Sequence, residues 1–223
     1  ETAYIREETV RAANLDEIMD GFEASGGWTY SVAWIDCLAK GASLGRSIMM
    51  RGEHVGFNEL VNPSHKHAPL APPPGRKLDV PFMFPNFALN PLTMKAFNFL
   101  YYNKCRPGTH RHIVDYNTFF YPLDAIGNWN RIYGSRGFTQ YQFVVPLEAG
   151  RAGLRKILKR ITDSGLGSFL AVLKLFGAQD GFMSFPMPGY TLALDFPISA
   201  KAFDLFRELD AMVADHGGRL YLA

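Results

Sequence analysis

The chain has 223 residues, of which 48% are hydrophobic and 20% are charged, a balance typical of one large globular domain or two small ones. The formal net charge is only +2, and the basic residues are spread along the chain, which excludes the electrostatic footprint of a nucleic-acid-binding protein. The two cysteines, Cys37 and Cys105, form no CxxC pair and no disulfide framework. We therefore expect free thiols, a reducing compartment and no zinc site.

The sequence contains no targeting or membrane-spanning segment that we can recognise. No apolar run approaches the roughly 18 to 20 residues that span a bilayer, and no signal peptide precedes the first strand. This predicts a soluble, cytoplasmic protein, with membrane association left open. The chain begins in strand-like ETAYIREETV without Met and ends in strand-like GGRLYLA. Because termini are usually polar and exposed, we interpret residues 1–223 as one domain of a longer polypeptide.

The first part of the chain, residues 1–62, predicts the order βαββ. Its helix begins behind Asn14 as N-cap, with Glu17 three residues on as in a capping box, and its apolar residues recur at i, i+3, i+4 and i+7. Runs of β-branched and aromatic residues predict the strands. The expected elements are a strand at 2–10, the helix at 14–24, and strands at 28–37 and 46–54.

The middle of the chain begins with a proline-rich loop. Residues 63–90 contain the run HKHAPLAPPPGRKLDVPFMFP, and its prolines predict an extended or mobile segment over 63–85. The connection that follows, 91–137, is predicted to hold a helix at 91–103 and a strand at 112–121.

The last part, residues 138–223, predicts the order βαββαβ, which is the ferredoxin-like arrangement. Its second helix is expected to begin behind Ser199 as N-cap and to end at Gly217, with Phe203 on the buried side. The expected elements are strands at 138–146, 168–176, 190–198 and 218–223, with helices at 150–163 and 200–215. Together the parts predict an α+β fold with a large, mostly antiparallel sheet and helices on one face.

The strands of the last part each have one apolar face and one face with sparse polar groups. Successive side chains of a strand point to opposite faces, so Gln140 and Gln142 share a face. In FLAVLKLFG the same rule places Lys174 opposite the apolar set that contains Phe169 and Leu173. The polar groups of this second face are Gln140, Gln142, Lys174, Thr191 and Asp195.

The composition of the second face favours a pocket over a plain solvent surface. Burying an amide without a partner costs roughly 1–3 kcal/mol, and the helices of a two-layer domain cover only one sheet face. The second face also keeps apolar residues such as Phe138 and Val172, a mixture typical of a ligand pocket or a domain interface. For each residue alone, a structural role such as a Lys174–Asp195 ion pair is an equal alternative.

Patterns that mark common metal and catalytic sites are weak or absent. The histidines of HKH (65–67) and HRH (110–112) stand at i, i+2, but they lack carboxylate or cysteine companions, so we interpret them as exposed loop histidines and expect no metal. There is no Walker loop, no GxGxxG after a strand and no GxSxG elbow. Cys37 has no evident histidine partner and is interpreted as a buried thiol.

In five segments, taken in order, the chain resembles the C-terminal part of the FAD-linked oxidoreductases of the vanillyl-alcohol oxidase superfamily. The segments are YSVAWIDCLAKGASLGRSIMMRGEH, FYPLDAIGNWNRIYGSRGFTQYQFVVP, FLAVLKLFGAQ, SFPMPGYTLALDFPI and HGGRLYLA. The likeness is greatest to the decaprenylphosphoryl-ribose oxidase branch, with aldonolactone oxidases more distant. The resemblance implies that residues 1–223 form a substrate-binding cap over a flavin, and that the FAD-binding domain lies elsewhere on the same polypeptide.

The resemblance also implies which residues form the site. Substrate-binding residues would be Trp34, Tyr133, Gln140, Gln142 and Phe176, to which Ala193 and Asp195 are added from the same face; Gln142 and Tyr133 would also approach the cofactor, FAD. Lys174 would be catalytic, polarising or deprotonating the substrate hydroxyl. Two departures from the family stand out. Ala193 occupies the position of a cysteine that covalent inhibitors modify in mycobacterial members, and a family lysine after the GGRLY strand would fall beyond Ala223.

The implied reaction is the oxidation of a sugar secondary alcohol to a ketone by hydride transfer to flavin, on a cell wall precursor. The implied partners are a small-molecule or lipid-linked sugar, the FAD domain of the same polypeptide and a short-chain dehydrogenase that acts in the next step. Two alternatives remain open. One is an aldonolactone or polyol oxidase of the same superfamily, and the other is a non-catalytic ferredoxin-like module that binds a ligand or partner, since one fold hosts many functions.

Overall fold

A computed structural model of the protein describes residues 2–71, 78–179, 181 and 184–222. The elements in chain order are β1 (Tyr4–Ala12), α1 (Leu15–Glu23), β2 (Tyr30–Ile35), β3 (Ser47–His54), α2 (Pro63–His67), β4 (Leu78–Asp79), α3 (Pro91–Lys104), β5 (Thr109–Asp115), α4 (Tyr116–Phe120), β6 (Ile126–Gly127), β7 (Phe138–Pro146), α5 (Leu147–Ser164), β8 (Ala171–Phe176), β9 (Gly189–Pro197), α6 (Ala200–Asp215) and β10 (Arg219–Leu220). The centre of the proline-rich loop, 72–77, lies outside the described residues, so its predicted mobility stays a prediction.

Eight strands form one antiparallel sheet in the order β10-β7-β9-β8-β2-β3-β1-β5. Within the C-terminal unit the spatial order is β10-β7-β9-β8, which is the ferredoxin-like order 4-1-3-2. Within the N-terminal unit the spatial order is β2-β3-β1-β5, which is the same order counted from the other end. The two four-stranded units meet where Ala33 pairs with Leu173 and Trp34 with Val172. The predicted α+β fold with a large antiparallel sheet is confirmed, and β4 and β6 add a separate parallel pair.

Helices α1, α5 and α6 cover one face of the sheet, and the main hydrophobic core lies between them and the strands. The start of α1 is capped as predicted, because the Asn14 side chain accepts the Glu17 N–H at 3.0 Å. The Glu17 carboxylate accepts the N–H of Ala13 at 2.7 Å instead of that of Asn14. Helix α6 begins behind Ser199, whose hydroxyl accepts a backbone N–H of the first turn, and Gly217 follows it with φ 67°.

The connection between the two units differs from its prediction at both ends. Residues 63–67, predicted as loop, form the short helix α2, because the Asn62 side chain accepts the Ser64 N–H at 2.9 Å. The strand predicted at 112–121 ends at Asp115, whose carboxylate caps α4 by accepting the Thr118 N–H at 3.1 Å. In both cases an Asx side chain before the segment provides the helix cap.

Two predictions near the C-terminus are also corrected. Phe203 is 45% exposed, because the buried stripe of α6 passes through Ala202, Leu205, Phe206, Leu209 and Val213. The strand predicted at 218–223 is shorter in the described residues: β10 comprises Arg219 and Leu220, which pair with β7, and the Tyr221 N–H adds one hydrogen bond to the Gln142 carbonyl at 3.0 Å.

The second face of the sheet is covered only in part. Helix α3 lies over β2 and β3, where Tyr102 packs with Trp34 and Ile48. Helix α4 contributes Phe119, which comes so close to β3 that a Cβ at position 52 would lie 2.6 Å from its ring, so the strand carries Gly52 there. Among the described residues, no helix has the length and apolar content required to cross a bilayer. Among the described residues, no α-helix lies over the part of the second face formed by β7, β9 and β8, although the short turn of helix at Trp129–Tyr133 packs on Phe138 at its end.

Candidate functional site

The pairing register of the sheet places the predicted polar residues in three rows across the open face. The rows are Trp34, Val172, Ala193 and Gln142; Lys174, Thr191 and Val144; and Asp195 with Gln140. Gln140, Gln142, Lys174, Thr191 and Asp195 are named the polar patch below. Adjacent strands are about 4.8 Å apart, and residues two apart on a strand are separated by about 7 Å. The polar patch is therefore about 10 Å wide and about 14 Å long.

Four of the five side chains in the polar patch are hydrogen-bonded in pairs. The Gln140 amide donates to the Asp195 carboxylate at 3.0 Å. The Gln142 amide donates to the Thr191 hydroxyl at 3.2 Å, and this hydroxyl donates to the Phe143 carbonyl at 2.8 Å. Each glutamine side chain is thereby fixed by a hydrogen bond from its amide nitrogen to a buried residue of β9. Within the described residues neither amide oxygen takes part in a hydrogen bond, so both remain available to accept one from a ligand.

Lys174 differs from the other members of the polar patch. Its side chain is exposed on β8, and in the described part of the chain it makes no ion pair. The alternative of a Lys174–Asp195 ion pair is wrong, because the Asp195 carboxylate bonds to Gln140 and its pKa receives no contribution from Lys174. A primary amine thus stands free on a mostly apolar face.

Asp195 is the most buried charged group of the polar patch, at 2% exposure. Burial raises the pKa of its carboxyl above the ordinary value of 3.8, and the hydrogen bond from Gln140 offsets part of this increase. Because the folded state then binds the proton more tightly than the unfolded state, Asp195 favours the folded protein below its unfolded pKa. This contribution is lost as the pH rises through the raised folded pKa.

We expect Asp195→Asn to raise the Tm at pH 7 to 8 and to give no such gain at pH 3, because asparagine carries no charge to desolvate. Differential scanning calorimetry of both proteins across this pH range measures the effect. Asp204→Asn is the matched control, since Asp204 is exposed at the start of α6. A stability difference that does not change with pH would contradict the assignment of the shift to Asp195.

Aromatic side chains border the polar patch at both ends. The aromatic band, as we name it, is a continuous series of ring contacts with centroid separations of 4.6 to 5.7 Å, formed by Trp129, Phe138, Tyr133, Phe169, Phe97, Tyr101 and Trp34. At the other end Phe176 contacts Phe185 at 6.2 Å, and Phe185 contacts Tyr221 at 5.1 Å. The polar patch therefore lies between two apolar walls.

Two predicted site residues, Trp34 and Tyr133, are buried within the aromatic band, at 6% and 3% exposure. The Trp34 N–H donates to the Phe169 carbonyl at 2.9 Å. The Tyr133 hydroxyl makes no hydrogen bond within the described residues. Burial and the nearby charge of Asp195 raise the pKa of Tyr133, and the neighbouring Ser168 side chain offsets part of this increase. A buried hydroxyl without a partner costs free energy, which makes Tyr133 a candidate ligand contact.

Phe169, Phe97 and Tyr101 are among the aromatic residues of the site that were not predicted. Phe169 was assigned to the helix-covered face, which is wrong: β8 begins at Ala171, and Phe169 lies in a bend before it, where strand alternation does not apply. Phe97 and Tyr101 come from α3, whose apolar residues lie on more than one side. That distribution is the sequence signal for contacts on two sides.

The N-terminal unit has a cavity of about 450 Å³ on the other side of α3 from the polar patch. Ile48 and Met50 of β3 form its apolar floor, Tyr101 and Lys104 of α3 form one wall, and His110 of the edge strand β5 lies opposite. The His110 ring bonds to the Arg106 carbonyl at 3.0 Å. Within the described ranges, no three His, Cys, Asp or Glu side chains cluster as a metal site requires. Cys37 is buried as predicted, and burial raises the pKa of its thiol to about 12.

No family model matches the chain. Over its whole length, the chain is 42% identical to decaprenylphosphoryl-β-D-ribose oxidase of Mycolicibacterium smegmatis, and the 229 aligned residues cover 48% of that protein. This match confirms the predicted resemblance. The chain is also 28% identical, over 234 residues, to an uncharacterised protein in the mprA 5′ region of Streptomyces coelicolor, of which it covers 62%.

Among solved structures, the chain aligns with the flavoenzyme CrmK, which is involved in shunt product recycling in caerulomycin biosynthesis. The alignment covers 95% of this chain and 41% of CrmK, with 9% sequence identity and a TM-score of 0.42. The chain spans about half the length of the M. smegmatis oxidase to which it is 42% identical.

Proposed function

We propose that this chain is the substrate-binding part of an FAD-dependent oxidoreductase that oxidises a secondary alcohol of a sugar, with a polyprenylphosphoryl ribose as substrate. The observation that carries the proposal is the 42% identity, over the whole chain, to decaprenylphosphoryl-β-D-ribose oxidase. The polar patch supports it, because this patch offers hydrogen-bonding groups on an otherwise apolar and uncovered sheet face. The FAD-binding part, the cytoplasmic location and the role in cell wall precursor synthesis belong to the proposal for the longer polypeptide.

The open sheet face is where a flavin ring would lie in this proposal. A flavin is a flat, mostly apolar ring system with polar atoms along one edge, and the face offers a mostly apolar surface with a few polar groups. Gln142 would hold the ring through its available amide oxygen, and Tyr133 through its buried hydroxyl, which makes no hydrogen bond within the described residues. The sequence has no glycine-rich phosphate loop, so the dinucleotide would be held by the rest of the polypeptide. Bound FAD supplies the hydride acceptor for the oxidation.

Lys174 is the residue that handles the proton in this proposal. Its amine is exposed on the polar patch and engaged in no ion pair among the described residues, so a sugar hydroxyl can approach it. As the neutral amine, Nζ would accept a hydrogen bond from the hydroxyl that is oxidised and then take the proton that this hydroxyl loses, which is general base catalysis. Asp195 does not neutralise the amine, because its carboxylate is buried and bonded to Gln140.

Gln140 and Gln142 orient the sugar in this proposal. Each amide is fixed through its N–H by a buried acceptor, Asp195 or Thr191, so its oxygen is held in place before the substrate arrives. Preorganised acceptors of this kind reduce the entropic cost of orienting a polyol. Asp195 and Thr191 are positioning residues, since they act through the glutamines. The aromatic band excludes water from one side of the patch, and Ala193 leaves room in its centre.

The proposal is tested by the colour and the reactivity of the longer polypeptide that contains this chain. We expect that protein to purify with the visible absorption of oxidised flavin, and anaerobic addition of a polyprenylphosphoryl ribose with a short prenyl tail should bleach it. This chain alone should be colourless and bind FAD with a Kd of about 1 mM or weaker. Tight FAD binding by the chain alone would contradict the division into two parts. A longer protein without flavin would favour the non-catalytic ferredoxin-like module.

A further inference from the structure

Helix α3 exposes apolar residues on the side that faces away from the sheet. Its inner side packs on the sheet through Met94, Tyr101 and Tyr102 and supplies Asn98, whose amide donates to the Asp36 carboxylate at 2.8 Å. On its outer side Leu92 is 76% exposed, Phe99 56% and Leu100 67%. The outer face of α3, as we name it, consists of Leu92, Lys95, Ala96, Phe99 and Leu100. Residues 92, 96 and 99 are spaced i, i+4 and i+7, so they share one side of the helix.

The outer face of α3 has the composition of a surface that is covered in the working protein. A helix that is apolar all round is normally buried all round, and contiguous exposed apolar patches on soluble proteins usually mark interaction sites. Phe87 extends the patch, since it is 77% exposed. It is held at the start of α3, where the Asn90 amide donates to its carbonyl at 3.1 Å.

The charge around this face indicates what covers it. Residues 80–110 include Lys95, Lys104 and Arg106 but no Asp or Glu. Lys95 belongs to the outer face, and Lys104 is exposed in the last turn of α3. An apolar helix face with basic residues at its flank is typical of helices that lie in the headgroup region of an anionic membrane.

We propose that the outer face of α3 is a docking surface for an anionic lipid bilayer, from which the open sheet face takes a lipid-linked substrate. The lipid-linked nature of the substrate rests on the proposed function. The inner side of α3 supports the inference, because Tyr101 forms a wall of the 450 Å³ cavity and also packs on Trp34 at 4.8 Å, beside the polar patch. A single helix thus separates the membrane from the site. In this proposal the isoprenoid tail would lie against Ile48 and Met50, which line the cavity together with Glu7 and Thr9.

The experiment measures vesicle binding of the longer, flavin-containing protein. Flotation with vesicles of equal parts phosphatidylglycerol and phosphatidylcholine is compared with flotation on phosphatidylcholine alone. We expect binding to the anionic vesicles, weakened by added salt, and a loss of about tenfold or more in the double variant Phe99→Glu, Leu100→Glu. Lys95→Gln should weaken binding about fivefold at low salt, because one basic residue near the surface is removed.

The matched control is Phe203→Glu on α6, which lies on the other side of the sheet and is 45% exposed. It should bind vesicles like the unchanged protein. Failure of the unchanged protein to bind anionic vesicles, or equal binding by the Phe99→Glu, Leu100→Glu variant, would overturn the docking surface. A marked fall in the Tm of the double variant in solution would also overturn it, since the rest of the polypeptide would then cover α3.

Measurements of turnover distinguish a failure of the docking surface from a failure of the proposed function. The Phe99→Glu, Leu100→Glu variant should oxidise a substrate with a short, water-soluble prenyl tail at the unchanged rate, and should lose activity only on a long-chain substrate in vesicles. Vesicle binding that depends on the outer face of α3, in a protein without oxidase activity, would support the docking surface and refute the proposed reaction. Equal loss of activity on both substrates would refute the docking role.

Discussion

Lys174→Ala is expected to lower turnover of the intact flavoprotein about 100-fold to 10,000-fold and to leave the Tm nearly unchanged. The large kinetic effect follows if Nζ is the group that takes the hydroxyl proton, because no other basic side chain belongs to the polar patch. The small stability effect follows from exposure, since Lys174 lies on the open face and has no ion pair within the described residues. Anaerobic flavin reduction in a stopped-flow instrument measures turnover, and scanning fluorimetry measures the Tm.

The control for Lys174 is Lys156→Ala, which removes an equally exposed lysine from α5 on the helix-covered side of the sheet. It should leave both rate and Tm unchanged. Lys174→Arg adds a mechanistic readout, because arginine keeps the positive charge but does not lose its proton in proteins. We expect it to retain substrate binding better than Lys174→Ala while turnover stays low. Unchanged turnover in Lys174→Ala would show that the amine is not the catalytic group.

Tyr141→Ala is expected to destabilise the protein by about 3–5 kcal/mol, as is typical when a large buried ring is truncated. Tyr141 is next to Gln140 on β7 but faces the main core. Its ring stacks on Phe206 at 4.8 Å and its hydroxyl donates to the Asp210 carboxylate at 2.8 Å. The change removes helix–sheet contacts on the side away from the polar patch. The rate of flavin reduction per folded molecule should therefore stay the same at low temperature.

Urea unfolding measures the loss in Tyr141→Ala, and Tyr141→Phe divides it into two parts. The phenylalanine variant keeps the ring contacts and loses only the hydrogen bond to Asp210, so we expect a cost of about 1 kcal/mol. A stability loss in Tyr141→Ala no greater than in Tyr141→Phe would contradict the ring's role in the core. A fall in the flavin reduction rate per folded molecule would contradict the separation of the two faces.

The sheet and its two faces were predictable because one face is buried. A one-residue shift in register would turn every core residue of a strand outward, so the alternation in the sequence fixes which residues share a side. This is why Gln140, Gln142, Lys174 and Asp195 were correctly placed together. The same argument failed at Phe169, because β8 begins only at Ala171. It also failed at residues 116–120, whose strand-like composition does not indicate the helix that Asp115 caps.

Sequence patterns could not predict the aromatic band. Its residues come from β2, α3, β7 and the segments before β7 and β8, so only the tertiary structure brings them into contact. The burial of Trp34 and Tyr133 has the same cause, because both are covered by rings from distant parts of the chain, Tyr101 and Phe169. The roles of the site residues came from the resemblance alone. Alternation places a lysine on a face but does not say what it reacts with.

The side-by-side pairing of the two units through β8 and β2 also protects the protein from aggregation. In an isolated four-stranded unit each of these strands would be an outer edge, with unpaired backbone groups able to recruit another chain. Their pairing removes both edges at once. The edges that remain are β10, which is two residues long, and β5, which carries Arg111 and two histidines. Short and charged edges resist strand addition, so either unit produced alone would expose an association-prone edge that the intact sheet lacks.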